Sequence, residues 1–159
     1  MNGIERFLAT NTTACPAAQE WLKTQPSASV AWKKCERADW MLWAIERDAK
    51  LVKRLGKRVF VAFAIACAER QIKTFENKYP DDARPREAIK AAKQWLKRPT
   101  KANQNAAAYA AYAAYAAAYA AANAAYAAAY AAAYAAEKKW QANKLRKMIR
   151  NPFTKLDKS

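Results

Sequence analysis

Histidine is absent from this chain of 159 residues, and glycine occurs only twice. Without histidine there is no imidazole general base, no Ser-His or Cys-His nucleophile pair and no histidine metal ligand. Two glycines are too few to build a glycine-rich phosphate loop or a nucleophile elbow. The sequence therefore predicts that the protein is not an enzyme and that it has no cofactor and no metal site.

Cysteine and long apolar runs are also scarce. The three cysteines, at positions 15, 35 and 67, lack the CxxC spacing of a zinc site, and their odd number argues against a disulfide framework. The most apolar stretch, residues 59–68, is half of the roughly 20 residues that a membrane span needs. The first eight residues include Glu5 and Arg6, which is not typical of a signal peptide. We therefore expect a reduced, cytoplasmic protein that does not contact a membrane.

Few glycines and six prolines, together with apolar residues at helical spacing, predict an all-α fold. We expect a bundle of about five helices that ends in a long C-terminal helix rich in alanine and tyrosine. Capping residues and prolines indicate where the helices begin. We expect one helix with Pro16 in its first turn and Thr13 or Cys15 near its cap. A cap at Ser27 or Ser29 precedes a helix from Val30 to about Leu55, which Gly56 ends or interrupts. The next helix runs from about Lys57 to Asn77, and the one after it is capped by Asp82, has Pro85 in its first turn and ends near Lys97.

Residues 105–136 consist almost entirely of alanine and tyrosine. At 100° per residue the tyrosines fall on one stripe of a helix, which together with residues 137–150 would be about 45 residues long. Such a helix projects, pairs with a copy of itself or breaks, and Asn123 is its weakest point. The tyrosine stripe is expected to pack this helix onto the other helices or to form an oligomer interface. Its members are Tyr109, Tyr112, Tyr115, Tyr119, Tyr126, Tyr130 and Tyr134.

These features predict a single domain with two parts. Residues 1–98 form a helical bundle core. Residues 99–159 form the long helix and a basic C-terminal end, which pack on the core or on another subunit.

Positive charge dominates the chain, with 29 Lys and Arg against 13 Asp and Glu for a net charge of +16. Such an excess attracts polyanions: nucleic acid, nucleotides or an acidic protein surface. The same excess is also explained by a solvated surface that keeps the protein soluble. Five cations in the middle of the chain are spaced to form a single cationic face of one helix, and this face is a candidate binding surface. They are Lys50, Lys53, Arg54, Lys57 and Arg58.

Three tryptophans, Trp32, Trp40 and Trp43, are spaced to share one side of a helix, which favours a place in the core. The alternative is a pocket in which aromatic faces stack a base while Arg and Lys hold phosphate. Asp39 lies in the same apolar segment, and we expect a buried carboxylate paired with an arginine. Such a pair is usually part of the architecture, although buried charge also marks binding sites.

Two segments resemble a known family. Residues 80–95 read P-D-D-x-R-P-R-x-A-I-x-A-A-x-x-W, and residues 37–43 read R-x-D-W-x-x-W. Followed by an alanine-rich helical tail, these patterns resemble the immunity proteins encoded beside polymorphic toxins and in bacteriophage genomes. The resemblance implies an all-helical, non-enzymatic protein that binds and neutralises a target. Its candidate binding residues here are Asp39, Trp40, Trp43, Asp81, Asp82, Arg84 and Arg86.

The two arginines of the motif, Arg84 and Arg86, are candidates for contacts with an anion or a partner. Alternatively they form ion pairs with Asp39 and Asp81, which is the interpretation we favour.

The leading functional hypothesis is a phage or bacterial immunity or anti-defence protein that acts by occupancy. Its target would be an acidic toxin or defence effector, or an anionic nucleotide signal. The alternative is a nucleic-acid-binding protein that coats or masks DNA or RNA through basic helix faces. A structural homo-oligomer built through the Ala/Tyr helices is a third hypothesis.

Overall fold

The computed structural model describes residues 3–101, 130–154 and 156. Within these residues the chain forms seven α-helices and no strand, so the predicted all-α class is confirmed. No helix among them is both long and apolar enough to cross a bilayer. The helices in chain order are α1 (Gly3–Thr10), α2 (Pro16–Lys23), α3 (Ala28–Lys34), α4 (Ala38–Glu46), α5 (Ala49–Lys78), α6 (Arg84–Lys97) and α7 (Tyr130–Met148).

The helix expected from Val30 to about Leu55 is three helices, because helical structure is interrupted twice, at residues 35–37 and 47–48. Cys35, with φ −61° and ψ 121°, is extended and ends α3, which Ser27 caps by accepting a hydrogen bond from the Val30 amide at 3.3 Å. Between α4 and α5, Asp48 accepts a hydrogen bond from the amide of Leu51 at 2.9 Å. A carboxylate that accepts from the amide three residues later is an N-cap, so a new helix begins here.

Helix α1 was not expected from the sequence. Its end is held by side chains that bond to carbonyls of its last turn: the Thr10 hydroxyl donates to Arg6 and Phe7, and the Asn11 amide donates to Phe7 at 2.8 Å. Ile4 is buried on the side that α1 turns inward. The following helix α2 begins at the expected Pro16, with Cys15 at its N-cap.

Gly56 interrupts α5. Its backbone has φ 72° and ψ 160°, a region of conformational space that is open almost only to glycine. Of the two roles expected for this residue, the structure shows the break: helical structure resumes directly after it and extends to Lys78.

The chain divides into two compact units. The first unit combines Met1–Leu55 with Glu137–Ser159, so both ends of the sequence contribute to it. Its most buried side chains are Ile45 of α4, Leu145 of α7 and Ile149 just after α7. Arg146 of α7 donates to the main-chain oxygens of Trp32 at 3.1 Å and Cys35 at 2.6 Å. A guanidinium at the C-terminus of α3 satisfies carbonyls that have no partner within the helix and offsets its dipole.

The second unit, Gly56–Ala136, is built in its described part around the antiparallel pair of α5 and α6. Two ion pairs give the direction and register: Glu76 binds Arg86 through two contacts of 2.6 Å, and Glu69 binds Lys93. Seven residues earlier on α5 corresponds to seven residues later on α6. Between the helices lies an apolar cluster of Ile65, Ala68, Ile89 and Ala92.

The start of α6 differs slightly from expectation. Its N-cap is Ala83, one residue after the expected Asp82, and Pro85 lies in the first turn as expected. The Asp82 carboxylate nevertheless accepts a hydrogen bond from the Arg84 amide at 3.1 Å, so it serves the helix start from the position before the cap. The second predicted part, residues 99–159, includes residues 102–129, which lie outside the described part. The predicted division at residue 98 therefore stays a prediction.

Candidate functional site

The first unit contains a cavity of about 520 Å³. This volume lies within the range of small-molecule binding sites. Side chains from α1, α2, α3 and α4 and from the segment after α7 form its walls, and the cavity is partly open to solvent. Most of the lining is apolar, and the charged residues among the described lining residues are Arg37 and Asp39.

Aromatic rings form much of the cavity wall, and they are arranged in contacting pairs. Phe7 of α1 meets Trp43 of α4 edge to face, with ring centroids 6.0 Å apart. Trp21 of α2 meets Trp40 at 5.8 Å, and Trp32 of α3 meets Phe153 at 5.7 Å. Because each pair joins different segments of the chain, the rings fix one another in place.

The two charged residues of the described lining form an ion pair. The Arg37 guanidinium donates to the Asp39 carboxylate at 3.0 and 2.6 Å, and Lys138 of α7 lies 3.2 Å from the same carboxylate. Burial raises the pKa of Asp39, but the hydrogen bonds from Arg37 and the charge of Lys138 outweigh it and hold the pKa below its usual value. The expected pairing of Asp39 with an arginine is therefore present, although the Asp39 side chain is about half exposed, at 47%.

Cations also lie against the rings. The Arg37 guanidinium is 4.7 Å from the centroid of the Trp40 ring, and that of Arg47 is 5.1 Å from Trp43. Such contacts are worth about 0.5–1 kcal/mol at exposed sites.

Cys35 lines the same cavity but is not built as a nucleophile. Burial raises the pKa of its thiol, and the Sγ atom donates to the main-chain oxygen of Arg37 at 3.4 Å. Reactive cysteines instead have a lowered pKa and an exposed position.

The motif arginines of α6 form ion pairs, as favoured from the sequence, but with other partners. Arg84 binds Asp82 at 2.7 and 2.8 Å, and Arg86 binds Glu76. The expected pairing with Asp39 and Asp81 was wrong, because Arg84 pairs with Asp82 two positions earlier and Arg86 pairs with Glu76 of the facing helix α5. Each pair lowers the pKa of its carboxylate through hydrogen bonds from the arginine.

The motif residues divide between the two units. The R-x-D-W-x-x-W segment contributes Arg37, Asp39, Trp40 and Trp43 to the cavity of the first unit. The remaining candidates, Asp81, Asp82, Arg84 and Arg86, lie at the start of α6 in the second unit.

The five cations expected to form one face are all exposed. The single face required one uninterrupted helix, and Gly56 interrupts it. Lys50, Lys53 and Arg54 precede the break in the first unit, whereas Lys57 and Arg58 follow it in the second.

Most of the tyrosine stripe, from Tyr109 to Tyr126, lies outside the described residues, as does Asn123. Tyr130 begins the described part of α7, and Tyr134 is 42% exposed. The packing or oligomer role of the stripe stays a prediction.

The comparison with protein families matches a span that contains the whole of the second unit. The model of the family described as Imm-5 like putative immunity protein matches residues 50–138, which is 89 of the 159 residues. The chain belongs to this family. The resemblance to immunity proteins is thereby confirmed at the level of the family. No curated protein and no solved structure matches the chain.

The match covers one part of the candidate site and not the other. The P-D-D-x-R-P-R stretch lies inside the residues matched to the Imm-5 like family, whereas residues 37–43 and the cavity-lining residues lie outside them. The cavity is thus a feature of the chain that the family match does not describe.

Sequence reasoning named part of the cavity wall and missed the rest. Phe7 has a local signal, since Ile4, Phe7 and Leu8 follow helical spacing. Phe153 and Leu156 have no such signal, because they reach the cavity from the other end of the chain.

Proposed function

We propose that this Imm-5 like protein neutralises an acidic protein toxin or defence effector by binding it, without catalysis. The observation that carries this proposal is the charge of the family-matched span. Residues 50–138 contain 16 Lys and Arg but only 6 Asp and Glu, a net charge of +10 out of the +16 of the whole chain. A partner that meets this span is recognised best if its surface is acidic.

Internal ion pairs leave this excess in place. Within the second unit Glu69, Glu76 and Asp82 each bind one cation of α6. Cations outnumber the remaining acids, and exposed ones follow Gly56 directly at Lys57 and Arg58. Charges at an exposed surface contribute mainly to the rate and specificity of association, so a partner should bind more weakly as salt rises.

The test is capture from the producing cells after nuclease treatment, followed by calorimetric titration of the purified pair at low and high salt. The charge reversal Lys57→Glu with Arg58→Glu should weaken binding at least about tenfold. The matched control is Lys33→Glu with Lys34→Glu, which reverses two adjacent exposed lysines of α3 outside the matched span. If both double variants bind the partner equally, the proposed surface is wrong.

Coating of nucleic acid is the second candidate, and the net charge of +16 is what favours it. It predicts retention of DNA that grows with DNA length and falls steeply with salt. Reversal of Lys50, Lys53 and Arg54 to glutamate should abolish that retention and leave the fold intact. Retention that survives this change contradicts a role for these three residues.

An anionic nucleotide is the remaining target class, and the aromatic cavity is the feature that favours it. Three further predictions from the sequence are part of this proposal. They are a cytoplasmic location, a role in phage or bacterial conflict, and a homo-oligomer formed through the tyrosine stripe. Native mass spectrometry of protein from its producing cells tests the homo-oligomer and the bound nucleotide together, because it reports the number of subunits and any bound small molecule.

A further inference from the structure

We propose that the cavity of the first unit is a binding site for a planar aromatic small molecule that carries a negative charge. The proposal deepens the nucleotide alternative, since it names the ligand class and the residues that would hold it. It is independent of the proposed toxin-binding surface, because the cavity-lining residues lie outside residues 50–138.

The size of the cavity is the first argument. Protein interiors are close-packed and leave few voids larger than a water molecule. A space of about 520 Å³ among four short helices leaves aromatic and aliphatic surface without packing partners. Because the cavity is partly open to solvent, this apolar surface meets water, and a ligand that fills the cavity removes it from water and supplies packing contacts.

The shape and chemistry of the walls favour a flat ring. Trp21 and Trp40 come from α2 and α4, while Phe7 and Trp43 approach from α1 and α4. Aromatic side chains gain both buried area and ring–ring contact from a planar ligand. Because the pairs already hold the rings in fixed orientations, little rotamer entropy is lost on binding.

The charges around the cavity favour an anion over a cation. The single carboxylate in the described lining, Asp39, already accepts two hydrogen bonds from Arg37 and lies beside Lys138. The guanidinium of Arg47 stacks over Trp43. Two cations, Arg37 and Lys138, therefore neutralise the one lining carboxylate, and a third cation, Arg47, lies over a ring of the wall, so a ligand cation would be repelled and a ligand anion attracted.

The probes distinguish the contribution of the aromatic ring from that of the negative charge. They also compare two classes of aromatic anion, a nucleotide and an indole acid. Adenosine 5′-monophosphate and indole-3-acetate each carry a ring and a negative charge, adenosine carries only a ring, and sulfate carries only charge. Binding is measured by calorimetric titration and by the melting temperature of the full chain. At about 100 times its Kd, a ring-bearing anion should raise the melting temperature by about 5–10 °C. Adenosine should bind more weakly than its monophosphate, and sulfate should not bind.

A filling variant locates the binding. Ala44 of α4 lines the cavity, and Ala44→Phe places a ring in the space that the ligand would occupy. Binding should be lost while the melting temperature of the free protein does not fall. Ala91→Phe on α6, at a position of similar exposure outside the cavity, is the matched control and should bind as the wild type does. If Ala44→Phe fails to fold, Ala18→Phe fills the cavity from α2.

Two results overturn the proposal. One is the absence of binding by either ring-bearing anion at millimolar concentration. The other is undiminished binding in a folded filling variant. Preference for the nucleotide or for the indole acid identifies the source of the ligand. Neither failure touches the toxin proposal, since that is tested by variants of Lys57 and Arg58 in the second unit.

Discussion

Among single residues, Arg146 connects distant parts of the sequence through several hydrogen bonds at once. Its guanidinium donates to carbonyls 111 and 114 positions earlier in the chain and to the side chain of Asn143 at 2.7 Å. A lysine has the same charge but lacks the planar fork that reaches several acceptors at once.

Arg146→Lys should therefore lower the free energy of unfolding by about 1–3 kcal/mol, because carbonyls at the end of α3 lose a charged donor. Urea unfolding monitored by tryptophan fluorescence measures the change. Lys147→Ala, at an exposed neighbouring position, is the control and should stay within about 0.5 kcal/mol of the wild type. Equal stability of Arg146→Lys and the wild type would show that these hydrogen bonds contribute nothing net.

Asp39 should make stability depend on pH. Its pKa in the folded state lies below the ordinary value of 3.8, so its contribution is full above that value and is lost as the pH falls through the folded-state pKa. Because the side chain is about half exposed, Asp39→Asn should cost only about 0.5–1 kcal/mol at neutral pH.

The difference between the wild type and Asp39→Asn should shrink as the pH falls below about 4. Urea unfolding between neutral and acidic pH measures it, with Asp81→Asn in the exposed loop before α6 as the control. A difference that stays constant with pH would contradict the role of the carboxylate charge.

At the scale of elements, the spacing of apolar residues predicts which segments are helical but not where each helix begins and ends. Apolar residues between Val30 and Leu55 keep helical spacing through two interruptions, so the pattern predicts one helix where there are three. The first interruption, between α3 and α4, depends on backbone angles at Cys35 and Arg37, which hydrophobic spacing does not report. Asp48 was the one readable signal, since its side chain caps α5.

The break in α5 should depend on glycine at position 56. A Cβ atom there would meet nothing within 4 Å, so any cost of Gly56→Ala comes from the backbone alone. The positive φ should make that cost about 1–3 kcal/mol. Thermal unfolding measures it, and Lys57→Ala at the next exposed position is the control. A stabilised Gly56→Ala variant would instead show that α5 prefers to be continuous.

At the scale of the whole molecule, the first unit is assembled from both ends of the chain. Leu145 and Ile149 are almost completely buried in it, and α7 also supplies Arg146 and Lys138. Burial of two large aliphatic side chains contributes several kcal/mol, of the order of the stability of a whole domain.

A chain that ends at residue 136 should therefore lose the cooperative unfolding of its first unit. Near-ultraviolet circular dichroism, which reports fixed tryptophan environments, should fall toward the unfolded signal. Addition of the peptide 137–159 in trans should restore part of it, whereas the same peptide with Leu145→Ala should restore less. A truncated chain that retains the full signal would contradict the two-ended construction.

The proposed partner-binding surface and the proposed ligand cavity belong to different parts of the chain. The Imm-5 like span carries most of the excess positive charge, while the cavity lies in the unit made of the two chain ends. The family match covers only the first of these, so the cavity has to be explained by its own chemistry.

Local and additive properties were readable from the amino-acid order. The absence of histidine, the net charge, the all-α class, the cap at Ser27 and the start of α2 at Pro16 each depend on composition or on residues a few positions apart. The cavity, the partners of Arg84 and Arg86, and the burial of Leu145 depend on the tertiary structure. They arise from contacts between segments that compete for the same carboxylates and the same apolar space, and that competition is decided only when the helices pack.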